Sequence, residues 1–388
     1  MTDQAIVWLD RLVDRAIERN ASDLHLEYVA DTPPRLLVRV RHDGDLIPWP
    51  SLEGPDARAA VMRIKAVADV SSGAIRKPEE GRYAHRAGAG SLDADLTATE
   101  YEDQSRALPR ADIRLTVLPT IRGSKYVLRL QSMLEAPDIT ALGLSQTNLG
   151  RVAGLFGWPN GLVLFAGPVG AGKSTSMRSA MQYLGGADKA AYSVEDPVEI
   201  AMENVDQMEV NDDAGNTFPA LLRSVRRADV QVLMIGEIRD KETAYSSIDI
   251  AMAGARVVSS IHANDSVGAV EAMLTLSGAT PHQVTQSLRG VVSQRLVKKV
   301  HAACAGAGCE DCQLTGVDGR LAIHEVLTVD TEFAEAIAHG ASRREMGRIA
   351  RAGGMQSLRE DAQRHLDSGQ TTPAYLDEVL GTIGDDRA

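Results

Sequence analysis

Eight consecutive residues, Gly167-Pro168-Val169-Gly170-Ala171-Gly172-Lys173-Ser174, satisfy the pattern G-x-x-x-x-G-K-[ST] of a phosphate-binding loop. Glycine leaves room for backbone N–H groups to close around phosphate oxygens, and a helix that starts at the loop adds a favourable dipole. Lys173 would reach the β- and γ-phosphates of a bound nucleotide, Ser174 would hold Mg²⁺, and Thr175 closes the binding stretch. Two acidic clusters supply the other groups this chemistry needs. Glu195-Asp196-Pro197-Val198-Glu199 and Gly236-Glu237-Ile238-Arg239-Asp240 offer carboxylates for the metal and for an attacking water.

Such groups must be positioned by a scaffold, and the flanking residues predict one. Leu162–Ala166 is a short apolar run of the kind that forms a buried strand, and Thr175–Tyr183 lacks Gly and Pro and can be a helix. Further strands are expected over Ala190–Val194, Val232–Ile235 and Val257–Ile261, alternating with helical stretches. That alternation is the pattern of a mostly parallel sheet with helices on its faces. Open sheets of this class bind ligands beyond the C-terminal ends of their strands, where both acidic clusters stand.

The first part of the chain reads differently. Ile6, Leu9, Val13 and Ile17 lie at helical spacing over residues 4–19. Strands are expected at Asp23–Glu27 and Leu36–Arg41, followed by a hairpin turn at His42–Asp45. A helix over 57–70, a polar turn at Arg76–Arg82, a loose insertion over 86–110 and strands at Ile113–Leu118 and Tyr126–Leu130 follow. The expected organisation is therefore a small α+β domain over 1–131, a linker over 132–147 that contains Pro137-Asp138-Ile139, and an α/β phosphate-loop domain over 148–388 with a helical C-terminal region.

Composition narrows the setting. The 388 residues are 44% apolar and 24% charged, ordinary for a soluble globular protein, and can form two or three domains. A net charge of −12 argues against non-specific nucleic-acid binding and against direct docking on anionic lipid. No apolar run reaches membrane-spanning length and no signal peptide is visible, so a cytosolic protein is expected. The three cysteines fall within nine residues and do not form a disulfide framework. With His301 they read H-x₂-C-x₄-C-x₂-C. Two short pairs, His301/Cys304 and Cys309/Cys312, have the layout of a closed tetrahedral zinc site, the alternative being plain thiols.

Taken together, these motifs resemble the secretion-type traffic ATPases, the motors of type II secretion and type IV pilus assembly or retraction. Members carry a phosphate loop, an aspartate box, a variant Walker B ending in GEIRD, and a histidine box. Here these fall on Gly167–Ser174, Glu195–Glu199, Leu233–Asp240 and Ser260-Ile261-His262-Ala263-Asn264. Ala21-Ser22-Asp23-Leu24-His25-Leu26-Glu27, Arg76–Arg82, Gly354–Leu358 and Gly369–Thr372 also match family motifs, so the resemblance covers essentially the whole chain. It implies a PAS-like N-terminal domain and a RecA-like second domain, assembled as a hexameric ring on the cytoplasmic side of a membrane machine. MgATP hydrolysis would drive an inner-membrane platform protein, with the membrane reached through partners. Glu195 would orient or activate the attacking water and Glu237 would act on Mg²⁺, two roles the resemblance leaves exchangeable. His262 would sense nucleotide or couple subunits. Arg114 and Arg129 fall on family arginines that approach the phosphates from a neighbouring subunit, where a planar guanidinium suits a charged γ-phosphate.

The chain departs from the pattern in three places. Gln231 replaces an expected aspartate, Ala255 replaces an expected histidine, and His301 stands for the first cysteine of a metal site whose spacer is shorter than usual. The first two bear on the efficiency and coupling of hydrolysis rather than on hydrolysis itself. Retraction motors usually lack the metal site, which tilts the expectation toward assembly or secretion over a retraction or conjugation motor. A RecA-like nucleic-acid motor is disfavoured by the net charge of −12 and by the absence of an aromatic-basic stripe.

Overall fold

A computed structural model describes residues 3–19, 21–86, 109–132 and 136–382. The chain divides into two compact units, Met1–Leu134 and Glu135–Ala388. The insertion expected over 86–110 lies, apart from its two ends, outside the described residues.

The first unit runs α1 (Asp3–Glu18), β1 (Asp23–Val29), β2 (Arg35–His42), β3 (Asp45–Glu53), α2 (Gly54–Val67), β4 (Glu79–Arg86), β5 (Pro109–Thr120), β6 (Gly123–Ser132). Its six strands form one antiparallel sheet in the order β3-β2-β1-β6-β5-β4. Alternation along the strands sends Leu24, Leu26, Val38, Val40, Ile113, Leu115 and Leu128 into one core with Leu9 and Val13 of α1 and Ala60 and Ile64 of α2. The opposite face carries charge. A single cross-strand row holds Arg41, Asp23, Arg129, Arg114 and Arg82, each directly opposite the next.

One expectation is corrected in this unit. Residues 79–82 were expected within a polar turn, but they open β4, with Glu79 opposite Val117 and Arg82 opposite Arg114. The polar composition reflects an edge strand whose Glu80 and Arg82 point to solvent, while His85 points inward and is buried. Cross-strand pairing overrides a local composition that favours a turn.

The second unit contains α3 (Gln146–Phe156), β7 (Gly161–Ala166), α4 (Lys173–Leu184), β8 (Ala191–Glu195), β9 (Asp206–Glu209), α5 (Phe218–Val225), β10 (Val232–Ile235), α6 (Lys241–Met252), β11 (Arg256–Ile261), α7 (Ser266–Ser277), α8 (Pro281–Ser287), β12 (Leu288–Val300) and β13 (Val317–Thr328). The sheet order is β13-β12-β7-β11-β10-β8-β9, parallel throughout except for the antiparallel β12–β13 hairpin. Every residue of β7 is buried, as a strand covered on both faces requires. Leu162, Leu164 and Ala166 join a core with Ile248 of α6 and Met273 of α7. Val163 and Phe165 face the other way, onto Met177, Met181 and Leu184 of α4.

Four helices end the described chain: α9 (Thr331–Ala338), α10 (Arg343–Ala352), α11 (Leu358–Asp367) and α12 (Pro373–Leu380). A buried carboxylate ties this region to the sheet. Asp361 accepts hydrogen bonds from Asn148 Nδ2 at 3.1 Å and from the His324 backbone N–H at 2.9 Å, and it pairs with Arg364 at 3.2 Å. Asn148 Nδ2 also donates to the His324 carbonyl at 3.1 Å, so α3, β13 and α11 share one network. Removing the acceptor leaves buried donors without partners. Asp361→Ala should lower the unfolding free energy by about 2–4 kcal/mol, against less than about 0.5 kcal/mol for Glu203→Ala on the exposed surface. Chemical denaturation followed by circular dichroism measures both.

Candidate nucleotide and metal sites

The phosphate loop joins β7 to α4, the strand–turn–helix context that its sequence demands. Gly170 and Gly172 have φ of 77° and 86°, which L side chains rarely adopt. At Gly172 space is also limiting, because a Cβ there would lie 2.9 Å from Gln294 Nε2. Gln294 is buried on β12. Its amide donates to the Ala171 carbonyl and accepts from Ser176 Oγ at 2.8 Å, clamping the loop to the first turn of α4. Arg295, the next residue, donates to the carbonyls of Gln294 (2.9 Å) and Asn264 (2.6 Å) and so binds the histidine box to β12.

Lys173 begins α4, and its Nζ donates to the carbonyls of Gly167 at 2.8 Å and Pro168 at 2.9 Å. Burial, reinforced by the Arg295 guanidinium, pushes its pKa down to about 8. Ser174 is exposed on the first turn of α4, and Thr175 beside it is half-buried. The loop therefore holds a desolvated cation and backbone groups beside open space, a set of partners that fits a polyphosphate. Pro168, Val169 and Ala171 shape it; Ala171 is buried, whereas Val169 is exposed.

The expected partners arrive on neighbouring strands. His262 directly follows β11, and Glu237 stands two residues beyond β10. His262 Nε2 lies 3.4 Å from a Glu237 carboxylate oxygen, and the ring lies beside Gly167 and Lys173 of the loop. Burial lowers the His262 pKa, and Lys173 and Arg239 lower it further. Arg239 pairs closely with Glu237 and reaches Asp196 at 3.5 Å. Phosphate loop, His262 and Glu237 thus form one contiguous group. Glu195 is the last residue of β8 and is buried, which raises its pKa. A Cβ on Gly236 would lie 3.4 Å from Glu195 Cα, so the ends of β8 and β10 pass close together. Arg178 of α4 spans the same ground and donates to Glu199 at 2.9 Å.

Arg114 and Arg129 belong to the first unit. They face each other across β5 and β6, with Arg129 Nε 3.3 Å from Asp23 Oδ1 and its side chain 64% exposed. The Nε of Arg114 is buried without a hydrogen-bond partner. The two departures from the family pattern lie away from the phosphate loop. Gln231 and Ala255 precede β10 and β11, at the end of the sheet opposite the loop, and the Gln231 side chain accepts from the Ala190 N–H at 3.0 Å. Gln294, Arg295, Arg178, Ser193 and Gln207 were not anticipated from the sequence. The signal for the first two was present, as a polar pair interrupting the apolar run Val291 to Val297.

The four metal-type side chains also converge. Their donor atoms all lie within 4.8 Å of one another, on the loop between β12 and β13. Cys304 and Cys312 sulfurs are 3.8 Å apart and those of Cys309 and Cys312 are 3.7 Å apart. His301 Nδ1 is 3.4 Å from Cys304 Sγ and 3.6 Å from Cys309 Sγ. A tetrahedral ion with metal–sulfur bonds of about 2.3 Å and a metal–nitrogen bond of about 2.0 Å requires edges of about 3.8 and about 3.5 Å, which these separations match. Burial opposes ionisation of Cys312, but the backbone N–H groups of Cys309 and Gly316 and the neighbouring thiols outweigh it and bring its pKa down to about 6. The donors fit zinc.

Two outcomes follow. A phosphate ligand needs the Lys173 ammonium, so nucleotide affinity is full below pH 8 and falls as pH rises through the free protein's value of about 8. Above it the dissociation constant should grow toward about tenfold per pH unit, as fluorescent-nucleotide titrations between pH 7 and 9.5 would record. Protein purified without chelator should contain about one zinc per chain by elemental analysis, and Cys309→Ser should lose most of it.

The chain resembles known proteins over most of its length. The family described as "Type II/IV secretion system protein" matches residues 105–381. The chain is 34% identical to the type IV pilus assembly ATPase PilB of Thermus thermophilus, over 96% of this chain and 42% of that protein. It is 32% identical to the type II secretion system protein HxcR of Pseudomonas aeruginosa, over 97% of this chain and 77% of HxcR. The chain thus spans less than half of its PilB relative. Among solved structures, the Legionella pneumophila ATPase DotB superposes with a TM-score of 0.72 at 18% identity, covering 96% of this chain and 95% of DotB, a likeness of fold alone. A phosphate loop, an aspartate box, a GEIRD strand end and a histidine box arranged on one parallel sheet, together with these matches, place the chain: it belongs to the Type II/IV secretion system protein family, the secretion-type traffic ATPases.

Proposed function

We propose that the chain binds and hydrolyses MgATP and that the hydrolysis powers a type IV pilus assembly or type II secretion machine. The observation that carries this reading is the meeting of His262, Glu237 and the phosphate loop, in which Lys173 is bonded to Gly167. On this reading Lys173 exchanges its two carbonyl partners for phosphate oxygens, and the loop N–H groups hold the remainder. Ser174 and Glu237 hold Mg²⁺, which when bound neutralises charge on the β- and γ-phosphates. Glu237 is already held by His262 and Arg239, which favours the metal role for it. Glu195 then orients the attacking water and accepts its proton. Burial raises its pKa, which strengthens it as a base relative to a solvated carboxylate.

Arg114 and Arg129 are assigned to the nucleotide of a neighbouring chain in a hexameric ring, with His262 coupling nucleotide to that neighbour. Their place on an arginine-rich cross-strand row, in which Arg129 and Arg82 are exposed, supports this. Zinc at His301, Cys304, Cys309 and Cys312 is structural. The proposed setting is the cytoplasmic face of the inner membrane, reached through a platform protein and without nucleic acid. Among the described residues no helix is long and apolar enough to cross a membrane.

Purified Lys173→Ala should lose ATP hydrolysis, and Glu195→Gln should bind nucleotide but not turn it over. A Glu195→Gln protein with the parent rate would refute its role. An arginine supplied in trans contributes about 10³–10⁵ in rate in known triphosphatases. Arg129→Ala and Lys173→Ala chains, each inactive alone, should therefore regain part of the activity when mixed. Mixtures that exchange subunits and stay inactive at every ratio would exclude the trans site.

A further inference from the structure

β8 ends in Glu195, and β9 runs beside it as the edge strand of the sheet. Their parallel register sets Gln207 directly opposite Ser193, and Ser193 lies two residues before Glu195. Alternate residues of a strand share a face, so all three side chains project to the same side. There they form a closed set of bonds. Ser193 Oγ donates to Glu195 Oε1 at 2.6 Å, and Gln207 Nε2 donates to the same oxygen at 2.9 Å. The other end of the Gln207 amide accepts from the Met202 N–H at 2.6 Å, and Nε2 also donates to the Ile200 carbonyl at 3.0 Å. The amide is thereby fixed in one orientation, with its N–H groups toward the carboxylate.

The asymmetry matters. Both donors fall on Oε1. No hydrogen bond to Oε2 is found among the described residues, and Oε2 is not one of the fully enclosed polar atoms. We infer that Gln207 is a positioning residue for hydrolysis: with Ser193 it occupies Oε1 of Glu195 and leaves Oε2 as the carboxylate oxygen presented to the attacking water. This rests on the assignment of Glu195 as the base. In the step itself the water oxygen bonds to the γ-phosphorus, the bond from that phosphorus to the bridging oxygen breaks to release ADP, and the water proton passes to Oε2. Gln207 has a second effect. A donor to a carboxylate favours its charged form, so the amide works against the burial that raises the Glu195 pKa. Gln207 therefore keeps the carboxylate ready to accept a proton at neutral pH as well as aimed.

Gln207→Leu retains size and removes the donor. Its affinity for a non-hydrolysable ATP analogue should stay within about threefold of the parent, since the hydrogen bonds of Gln207 go to Met202, Glu195 and Ile200 and none to the phosphate loop, while single-turnover cleavage of ATP falls by about 10–100-fold. The sign of the pH effect is fixed: loss of a donor raises the carboxylate pKa, so the acidic limb of the rate profile should move to higher pH by about one unit. Gln207→Glu, which replaces the donor by an acceptor and a like charge, should move the limb at least as far, and it supplies the test if the leucine variant does not fold. A rate loss with an unmoved limb would mean that Gln207 only holds the edge strand, and the inference would be wrong. An unchanged rate beside an inactive Glu195→Gln would overturn it too, leaving the Glu195 assignment intact. Parent-like turnover in Glu195→Gln would instead remove that assignment, and the inference with it.

Discussion

A site for a polyphosphate must hold a cation and carboxylates partly out of water before the ligand arrives, and each such group resists the loss of solvent. Burial draws the Lys173 ammonium toward neutrality and the Glu195 carboxylate toward its protonated form. The surrounding polar groups answer that penalty one by one. Carbonyls of the loop itself receive Lys173, and Ser193 and Gln207 donate to Glu195. Arg239 and His262 stand against Glu237. These are fixed dipoles and ion pairs rather than mobile water, so the groups stay in place with little reorganisation when charge develops.

The scaffold that allows this is the parallel sheet. The adjacent strands β7, β11, β10 and β8 deliver in turn the phosphate loop, His262, Glu237 and Glu195, all at the same edge. Helix α4 crosses over that edge, and its Arg178 reaches Glu199, so the helix that opens at the phosphate loop also touches the loop beyond β8. The opposite edge carries Gln231 and Ala255, where a side-chain amide on the Ala190 N–H performs an ordinary task of finishing a strand. Both departures from the family pattern thus stand where strands begin, at the edge away from the phosphate loop.

Much of this was legible in the sequence because the signals were local. The phosphate loop is eight adjacent residues, and the apolar run before it reads as a buried strand. The strand expected at 232–235 is found there, and those expected at 190–194 and 257–261 are found at 191–195 and 256–261. What escaped was non-local. Gln294 looks like any polar residue until β12 lies against β7 and brings it under Ala171. Gln207 gains meaning only when β9 pairs with β8 in a particular register. The strand at Glu79–Arg86 hid behind its charges because one face is solvated and its partner, β5, lies far along the chain.

The clamp on the phosphate loop has a consequence in time. Gln294 and its partners Ala171 and Ser176 are separated by 123 and 118 residues. A ribosome making about 5–20 residues per second delivers the loop well before the strand that braces it. Until β12 is in place, the glycines of the loop have no wall to lie against, and Lys173 has no Arg295 beside it. The hairpin that supplies the brace is capped by the His301–Cys312 knot, and slipping β12 by one residue would turn Gln294 to the opposite face. The newborn chain thus carries its most recognisable motif before the residues that brace it have been made.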